Sequence, residues 1–305
     1  MISELISSVS LQEVLQCSKS HKPETLVSVD PEDSLQNALL ILGANRVTAA
    51  VVRSRESSLV SGMIDYLDIL RFVRSKLDVA LSSFQAYQHV RQILQSRVKE
   101  AVDKSRGDAL LIANIHEFPA ILVRFIAGGL AHRFIVSDEG KLEICSQSDI
   151  LNFIVSDLEN RFKDSEISKV MALPVSRCQN CYRDCVTVSK DTVMLDLIST
   201  LDSKQITSIA LVDEHGRICG NFSASDLKGM TEINGEFLLT LVPSFLEKNS
   251  PQSLQPICVT PQTSIREAAE KMIQRRVHRI WLVDQGNRPV GVVTMTDILK
   301  EIFKI

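Results

Sequence analysis

Four stretches of the chain share one alternation of apolar and polar positions: VSGMIDYLDIL (60–70), KLEICSQSDIL (141–151), RICGNFSASDL (217–227) and PVGVVTMTDIL (289–299). Each reads as a short apolar strand, a polar break, and an Asp followed by Ile-Leu or Leu at the start of a helix. The carboxylates Asp68, Asp149, Asp226 and Asp297 recur at intervals of 81, 77 and 71 residues. A period this long is a small domain rather than a solenoid unit.

The rest of each repeat agrees. LVSVDPEDSL, CVTVSKDTVML and ICVTPQTSI each supply a short strand and a turn. An amphipathic helix follows; SIREAAEKMIQRR places Ile265, Ala268, Ala269, Met272 and Ile273 on one stripe. Ser264 and Glu267 have the spacing of a capping box. Two apolar strands, RIWLVD and PVGVVT, are joined by the turn QGNR before the closing helix. The order is strand–helix–strand–strand–helix. Repeat two opens least regularly, although residues 101–140 still supply a helix, a strand and a turn. Short apolar strands suit a small sheet covered by helices, so the predicted fold class is α/β (α+β). A unit of about 60 residues is marginal alone, and pairing buries its open faces. Expected boundaries are 9–78, 90–158, 166–230 and 238–305. Repeat one is expected to pair with two and repeat three with four, through helical connectors at 75–102 and 229–256. A break near 158–175 separates the pairs.

Composition narrows the function. The 305 residues are 45% hydrophobic and 23% charged, enough for several buried cores. A formal net charge of -3, with acids and bases interspersed, gives no reason to expect a nucleic-acid or membrane surface. Glu4 and Glu13 interrupt the amino-terminal stretch where a signal peptide needs a basic start and an apolar run. Arg124, His132 and Arg133 cut the longest apolar stretch. The expectation is an intracellular protein without a membrane span, cytoplasmic and also nuclear. Seven cysteines and no secretion signal argue against a disulfide framework. CQNCYRDC (178–185) lacks a matching second pair for zinc, and His215 with Cys219 reaches it only over a distance. Cys178, Cys181 and Cys185 therefore read as reduced thiols in a connector, and no metal site is predicted. No nucleophile elbow, zinc-protease helix or phosphate-cradling loop motif occurs, which argues against an enzyme.

Two elements carry candidate chemistry. The first is Gly291-Val-Val-Thr294-Met-Thr-Asp297. A glycine permits close backbone approach. A hydroxyl and a carboxylate three residues apart face one mouth, where the carboxylate can accept both hydrogen bonds of a ribose diol. The same spacing equally describes an N-cap with an acidic first turn. Repeat three offers Gly220, Ser223 and Asp226, with polar Asn221 in the pattern. Repeat two offers Ser146 and Asp149, but Glu143 replaces the glycine. Repeat one offers Gly62 and Asp68, but Asp65 replaces the hydroxyl. The second element is a basic pair before a strand, in AHRFIVSD (131–138) and VHRIWLVD (277–284). Arg133 and Arg279 offer planar forks for phosphate oxygens. His132 and His278 add donors that gain charge near phosphate. Salt bridges between repeats are the alternative for these arginines. Repeats one and three lack the pair, and Arg275 and Arg276 read as a solvated helix end.

The repeated unit resembles the CBS domain, and four in one chain resemble the gamma regulatory subunit of AMP-activated protein kinase with its plant and yeast relatives. GNFSASDLKG especially resembles the plant gamma-like forms. The resemblance spans about residues 9–305. It implies two tandem Bateman modules in a flat pseudo-symmetric disc. It further implies AMP, ADP or ATP as regulatory ligands in interdomain clefts, and kinase alpha catalytic and beta scaffold subunits as partners. On this pattern Thr294, Asp297, Ser223, Asp226, Ser146, Asp149 and Asp68 face ribose, and His132, Arg133, His278 and Arg279 face phosphate. Departures are Thr48, where the gamma subunits typically place another phosphate-binding Arg, and Asp149, where they often have a basic residue. The rival expectation is a CBS scaffold or regulatory module that has lost nucleotide sensing or binds another adenosyl ligand.

Overall fold

The computed structural model describes residues 9–18, 26–56, 60–77, 83–102, 111–115, 128–129, 131–138, 141–157, 161, 163, 165–178 and 185–303. In repeat one, β1 (Ser28–Val29) runs parallel to β2 (Ala49–Arg53), which pairs antiparallel with β3 (Val60–Asp65). The same order recurs in repeat two as β4 (Ile112–Asn114), β5 (Arg133–Asp138) and β6 (Lys141–Ser146). Repeat three has β7 (Thr187–Ser189), β8 (Ser208–Val212) and β9 (Ile218–Ser223). Repeat four has β10 (Cys258–Val259), β11 (Arg279–Val283) and β12 (Pro289–Thr294). A parallel step needs a crossover. Helices Leu35–Ala44, Met194–Ser203 and Ile265–Arg275 supply it in repeats one, three and four. The helix expected at that place in repeat two lies outside the described residues.

The predicted stripe forms: Ile265, Ala268, Ala269 and Met272 are buried, and Ile273 packs partly against them. Only half of the capping box forms. Ser264 Oγ accepts from Glu267 N at 3.1 Å, while the Glu267 carboxylate turns to Lys271 Nζ at 2.9 Å. The closing helices are Tyr66–Lys76, Gln147–Ser156 and Met295–Phe303. In repeat three a single 3-10 turn, Ala224–Leu227, replaces the helix. Gly229, at φ +96°, takes a left-handed path that an α-helix cannot continue through.

Packing follows alternate repeats. One compact unit gathers repeats two and four, and the other gathers one and three. The expected pairing of neighbours is therefore not the division that compactness follows, although the tandem α/β repeats stand. Helix contacts decide it: Ile265–Arg275 and Met295–Phe303 pack on Gln147–Ser156, and Tyr66–Lys76 packs on Met194–Ser203. Helix Leu11–Ser18, expected with repeat one, also packs on Gln147–Ser156. Asn152 Nδ2 donates to the Cys17 carbonyl at 3.4 Å, and Arg161 Nη2 meets Glu13 Oε1 at 3.0 Å. The connectors are helical as predicted, with Ser83–Ile93 after repeat one and Gly235–Leu239 and Val242–Asn249 after repeat three.

In the unit of repeats one and three, helix Leu35–Ala44 meets the segment after repeat three closely. A Cβ on Gly43 would stand 2.5 Å from the Met230 carbonyl oxygen and 2.6 Å from Thr231 Cγ2. Tyr66 Oη donates to that same carbonyl at 2.9 Å. The cysteine-rich connector departs from expectation. Cys178 is buried and disulfide-bonded, its partner lying outside the described residues. Cys185 is a free thiol. Residue spacing alone does not set the Cα separation on which a bridge depends. Cys181 also lies outside the described residues. No described helix is long and apolar enough to cross a membrane.

Candidate functional site

The hydroxyl–carboxylate elements form helix caps in all four repeats. In repeat four, Asp297 Oδ2 accepts from Thr294 N at 2.9 Å and from Thr294 Oγ1 at 2.7 Å, while Asp297 N donates to Thr294 Oγ1 at 3.2 Å. Ser146 N and Oγ donate to Asp149 Oδ2 at 2.7 and 2.8 Å. In repeat one Asp65 takes the hydroxyl's part, accepting from Asp68 N at 2.8 Å while Asp65 N donates to Asp68 Oδ2 at 3.0 Å. Asp65 thus serves as the cap of its closing helix. All four repeat carboxylates are buried, and Asp297 has no exposed surface.

Repeat three closes its carboxylate further. Asp226 Oδ2 accepts from Ser223 N at 2.6 Å and Ser223 Oγ at 3.0 Å, and Ser253 Oγ donates to Oδ1 at 2.6 Å. Burial pushes this carboxyl above the usual range, against the pull of its serine donors. A hydroxyl from the connector thus occupies the oxygen that a ribose would need. Ser253 carries no sequence signal, because its contact spans 27 residues through a 3-10 turn.

The basic pairs stand at the same ends of the sheets as these caps. In register, Arg133 is opposite Ser146 and Arg279 opposite Thr294. Gln147 N donates to the His132 carbonyl at 3.1 Å, and Met295 N to the His278 carbonyl at 3.0 Å. Each His-Arg pair is therefore fixed to the start of its own closing helix. The two helix starts also meet across the repeats. Gln147 Nε2 donates to Thr296 Oγ1 at 2.8 Å, and Ser148 Oγ to Met295 Sδ at 3.4 Å. Consequently both pairs converge within one unit.

His278 reports the convergence. It is exposed as a residue, yet neighbouring protein crowds its imidazole. That surrounding protein, then the charges of Arg279, Arg133 and His132, lower its pKa to about 4. Every charge that acts on it is positive. Such a field disfavours a cationic imidazole and attracts an anion. The unit of repeats one and three has no counterpart. Ala49 and Ser208 hold the places of Arg133 and Arg279 in register, opposite Asp65 and Ser223. Thr48 and Thr207 hold the places of the two histidines. Arg46 is exposed at a left-handed position, φ 49°. Arg275 and Arg276 are exposed at the helix end.

Comparisons with known proteins agree with this repeated architecture. The CBS domain profile matches residues 23–75, 181–230 and 252–304, about half of the chain. Repeat two lies outside those matches, yet its sheet has the same strand order. The Arabidopsis thaliana SNF1-related protein kinase regulatory subunit gamma-like PV42a is 24% identical over 55% of this chain and 51% of its own length. The Saccharomyces cerevisiae 5'-AMP-activated protein kinase subunit gamma is 22% identical over 91% of this chain and 86% of its own. Protein SDS23 of Yarrowia lipolytica is 23% identical over 91% of this chain and 64% of its own. The chain thus spans about half to two thirds of two of these relatives, and the likeness is not specific to the plant forms. Among solved structures, Methanocaldococcus jannaschii MJ1225, a putative archaeal homolog of g-AMPK, superposes with a TM-score of 0.66 at 14% identity, over 96% of this chain and 99% of its own. With its repeated three-stranded sheets and flanking helices, the chain belongs to the CBS-domain family.

Proposed function

We propose that the chain is a regulatory module that binds an adenine nucleotide, AMP, ADP or ATP, in the unit of repeats two and four. Membership of the CBS family makes it a regulatory, non-catalytic protein rather than an enzyme. One observation carries the ligand reading: Arg279, Arg133 and His132 all act on His278 as positive charges, so the two His-Arg pairs stand together. Phosphate oxygens match the arginine forks there. Asp149 with Ser146 and Asp297 with Thr294 stand beside them at the sheet ends, where a ribose would take a cap hydrogen bond in exchange. Asp68, Asp226 and Ser223 are assigned to capping. At the finer level the chain is a gamma-type protein kinase subunit, which the name of the yeast relative supports; kinase alpha and beta subunits as partners, in cytoplasm and nucleus, are part of the same proposal.

A second reading is a scaffold, or a module for another adenosyl ligand. The locked Asp226 and the missing basic pairs in repeats one and three favour it, and the SDS23 relative is compatible with it. S-adenosylmethionine fits these pairs poorly, because its sulfonium would enter a positive field. Calorimetric titration of the full chain with AMP, ADP, ATP and S-adenosylmethionine separates the readings. The expected result is nucleotide binding that falls by about 10- to 100-fold in Arg279→Ala, from loss of a charge-assisted phosphate contact. Binding of S-adenosylmethionine alone would favour the other adenosyl ligand, and no binding of any of the four by the folded chain would favour the scaffold.

A further inference from the structure

Lys300 lies in the last turn of helix Met295–Phe303, where a cation ordinarily complements the helix dipole. Its ammonium goes elsewhere. Side chains on a helix lean toward its N-terminus, and residues four apart share a face. Lys300 accordingly follows Thr296 on the face that meets repeat two. A Cβ on Gly129 would stand 3.4 Å from Thr296 Cγ2 and 3.9 Å from Lys300 Nζ. Gly129, at φ +76°, belongs to the turn Gly128–Gly129, three residues before His132. The absence of a Cβ there leaves the space beside the ammonium open. Lys300 is half-buried and has no ion pair or hydrogen bond among the described residues.

Repeat one provides a control within the same chain. Arg71 is the sixth residue of helix Tyr66–Lys76, as Lys300 is of Met295–Phe303. It points to the same place in its own unit, with Nη2 donating to the Ile206 carbonyl at 3.2 Å and Nε 3.5 Å from Asp202 Oδ1. Ile206 directly precedes Thr207 and Ser208, the counterparts of His132 and Arg133. Arg71 thus reaches protein acceptors through Nη2 and Nε, although its Nη1 finds none, whereas Lys300 reaches none among the described residues.

We propose that Lys300, with the Gly128–Gly129 turn and the His132–Arg133 pair, forms a subsite for the distal phosphates of a nucleoside di- or triphosphate. The inference rests on the nucleotide reading above and names its specificity determinant. A monophosphate is served by the two His-Arg pairs, whereas the added charges of a longer phosphate chain call on a further cation.

The test is calorimetric titration of the full-length native chain, K300Q and K300R with AMP, ADP and ATP at one fixed salt concentration. For K300Q, ADP and ATP affinity falls about tenfold, the scale of one charge-assisted contact. AMP affinity changes less than about twofold, and K300R recovers most of the loss. Unchanged ADP and ATP affinity in K300Q, or an equal loss for AMP, would overturn the subsite while leaving the nucleotide reading intact. Failure of the native chain to bind any of the three nucleotides would overturn both.

Discussion

Replacing Asp297 by alanine tests whether the buried carboxylate is chiefly a cap. Its Oδ2 accepts two hydrogen bonds from Thr294, at 2.9 and 2.7 Å, and the side chain is fully enclosed. A hydrogen bond to a charged group contributes about 1.5–3 kcal/mol net, so the pair is worth about 3–6 kcal/mol. Alanine also removes the cost of burying the charge, which offsets part of that loss. A net destabilisation of about 2–4 kcal/mol follows, within the 5–15 kcal/mol of a typical domain. Asp297→Asn keeps an acceptor for Thr294 N and loses mainly the charge, so its effect is about half as large. Trp281, the chain's single tryptophan, lies buried in β11 of the same unit and reports its unfolding by fluorescence in urea. With a urea slope of about 2 kcal/mol per molar, the alanine variant's midpoint falls by about 1–2 M. If the midpoint stays within about 0.2 M of native while nucleotide affinity collapses, the carboxylate is a ligand group first and a cap second.

The pKa of His278 and the packing at Gly43 are also open to measurement. Because the folded pKa of His278 is depressed to about 4, the unfolded chain takes up a proton near pH 6.5 before the folded chain does. Stability therefore declines as pH falls from about 6.5 to about 4, and His278→Gln flattens that decline; an NMR titration midpoint near 6.5 in the free chain would contradict the cationic surroundings. Gly43→Ala sets a helix-propensity gain of about 1 kcal/mol against overpacking of about 1–3 kcal/mol from contacts at 2.5 and 2.6 Å. Net destabilisation is expected in urea melts followed by circular dichroism, and unchanged or increased stability would show that residues 230–231 yield freely.

The repeat was legible because two periods coincide in it. Alternating strand residues and the stripe Ile265–Ala268–Ala269–Met272 need only local chemistry, and both form. Even repeat two, which the family profile does not match, was legible through its closing strand and its Asp149. The gathering of alternate repeats into compact units was not. Connector length suggests neighbours, but helix faces choose partners, and those of Gln147–Ser156 fit Ile265–Arg275 and Met295–Phe303. The hydroxyl–carboxylate spacing was visible yet ambiguous, since a cap and a ribose clasp require the same residues three apart. Ser253 was illegible for another reason: a serine in a connector has no pattern until the chain returns it to Asp226. Cys178 shows the same limit, because cellular compartment does not determine the distance between two thiols.

Alternate packing explains why the basic pairs matter more together than apart. Had repeats of unlike kind been gathered, each unit would hold one His-Arg pair beside a Thr–Ala or Thr–Ser counterpart. Instead both pairs fall in one unit, and His278 feels Arg279 from its own strand and Arg133 and His132 from the other repeat. Positive groups brought this close favour an anion beside them. Gln147 to Thr296 and Ser148 to Met295 join the two closing helices, and each helix start is tied to the preceding histidine carbonyl of its own repeat. An anion that relaxes the repulsion acts directly on the packing between repeats, and a regulatory protein needs this coupling between ligand and conformation. The other unit shows the reverse arrangement. Its cation at Arg71 is turned to Ile206 and Asp202, and its carboxylate at Asp226 to Ser253. That unit thus turns its helix cation and one cap carboxylate to protein partners, although Arg71 Nη1 and Ser208 Oγ stay buried without one, whereas repeats two and four bring two His-Arg pairs together.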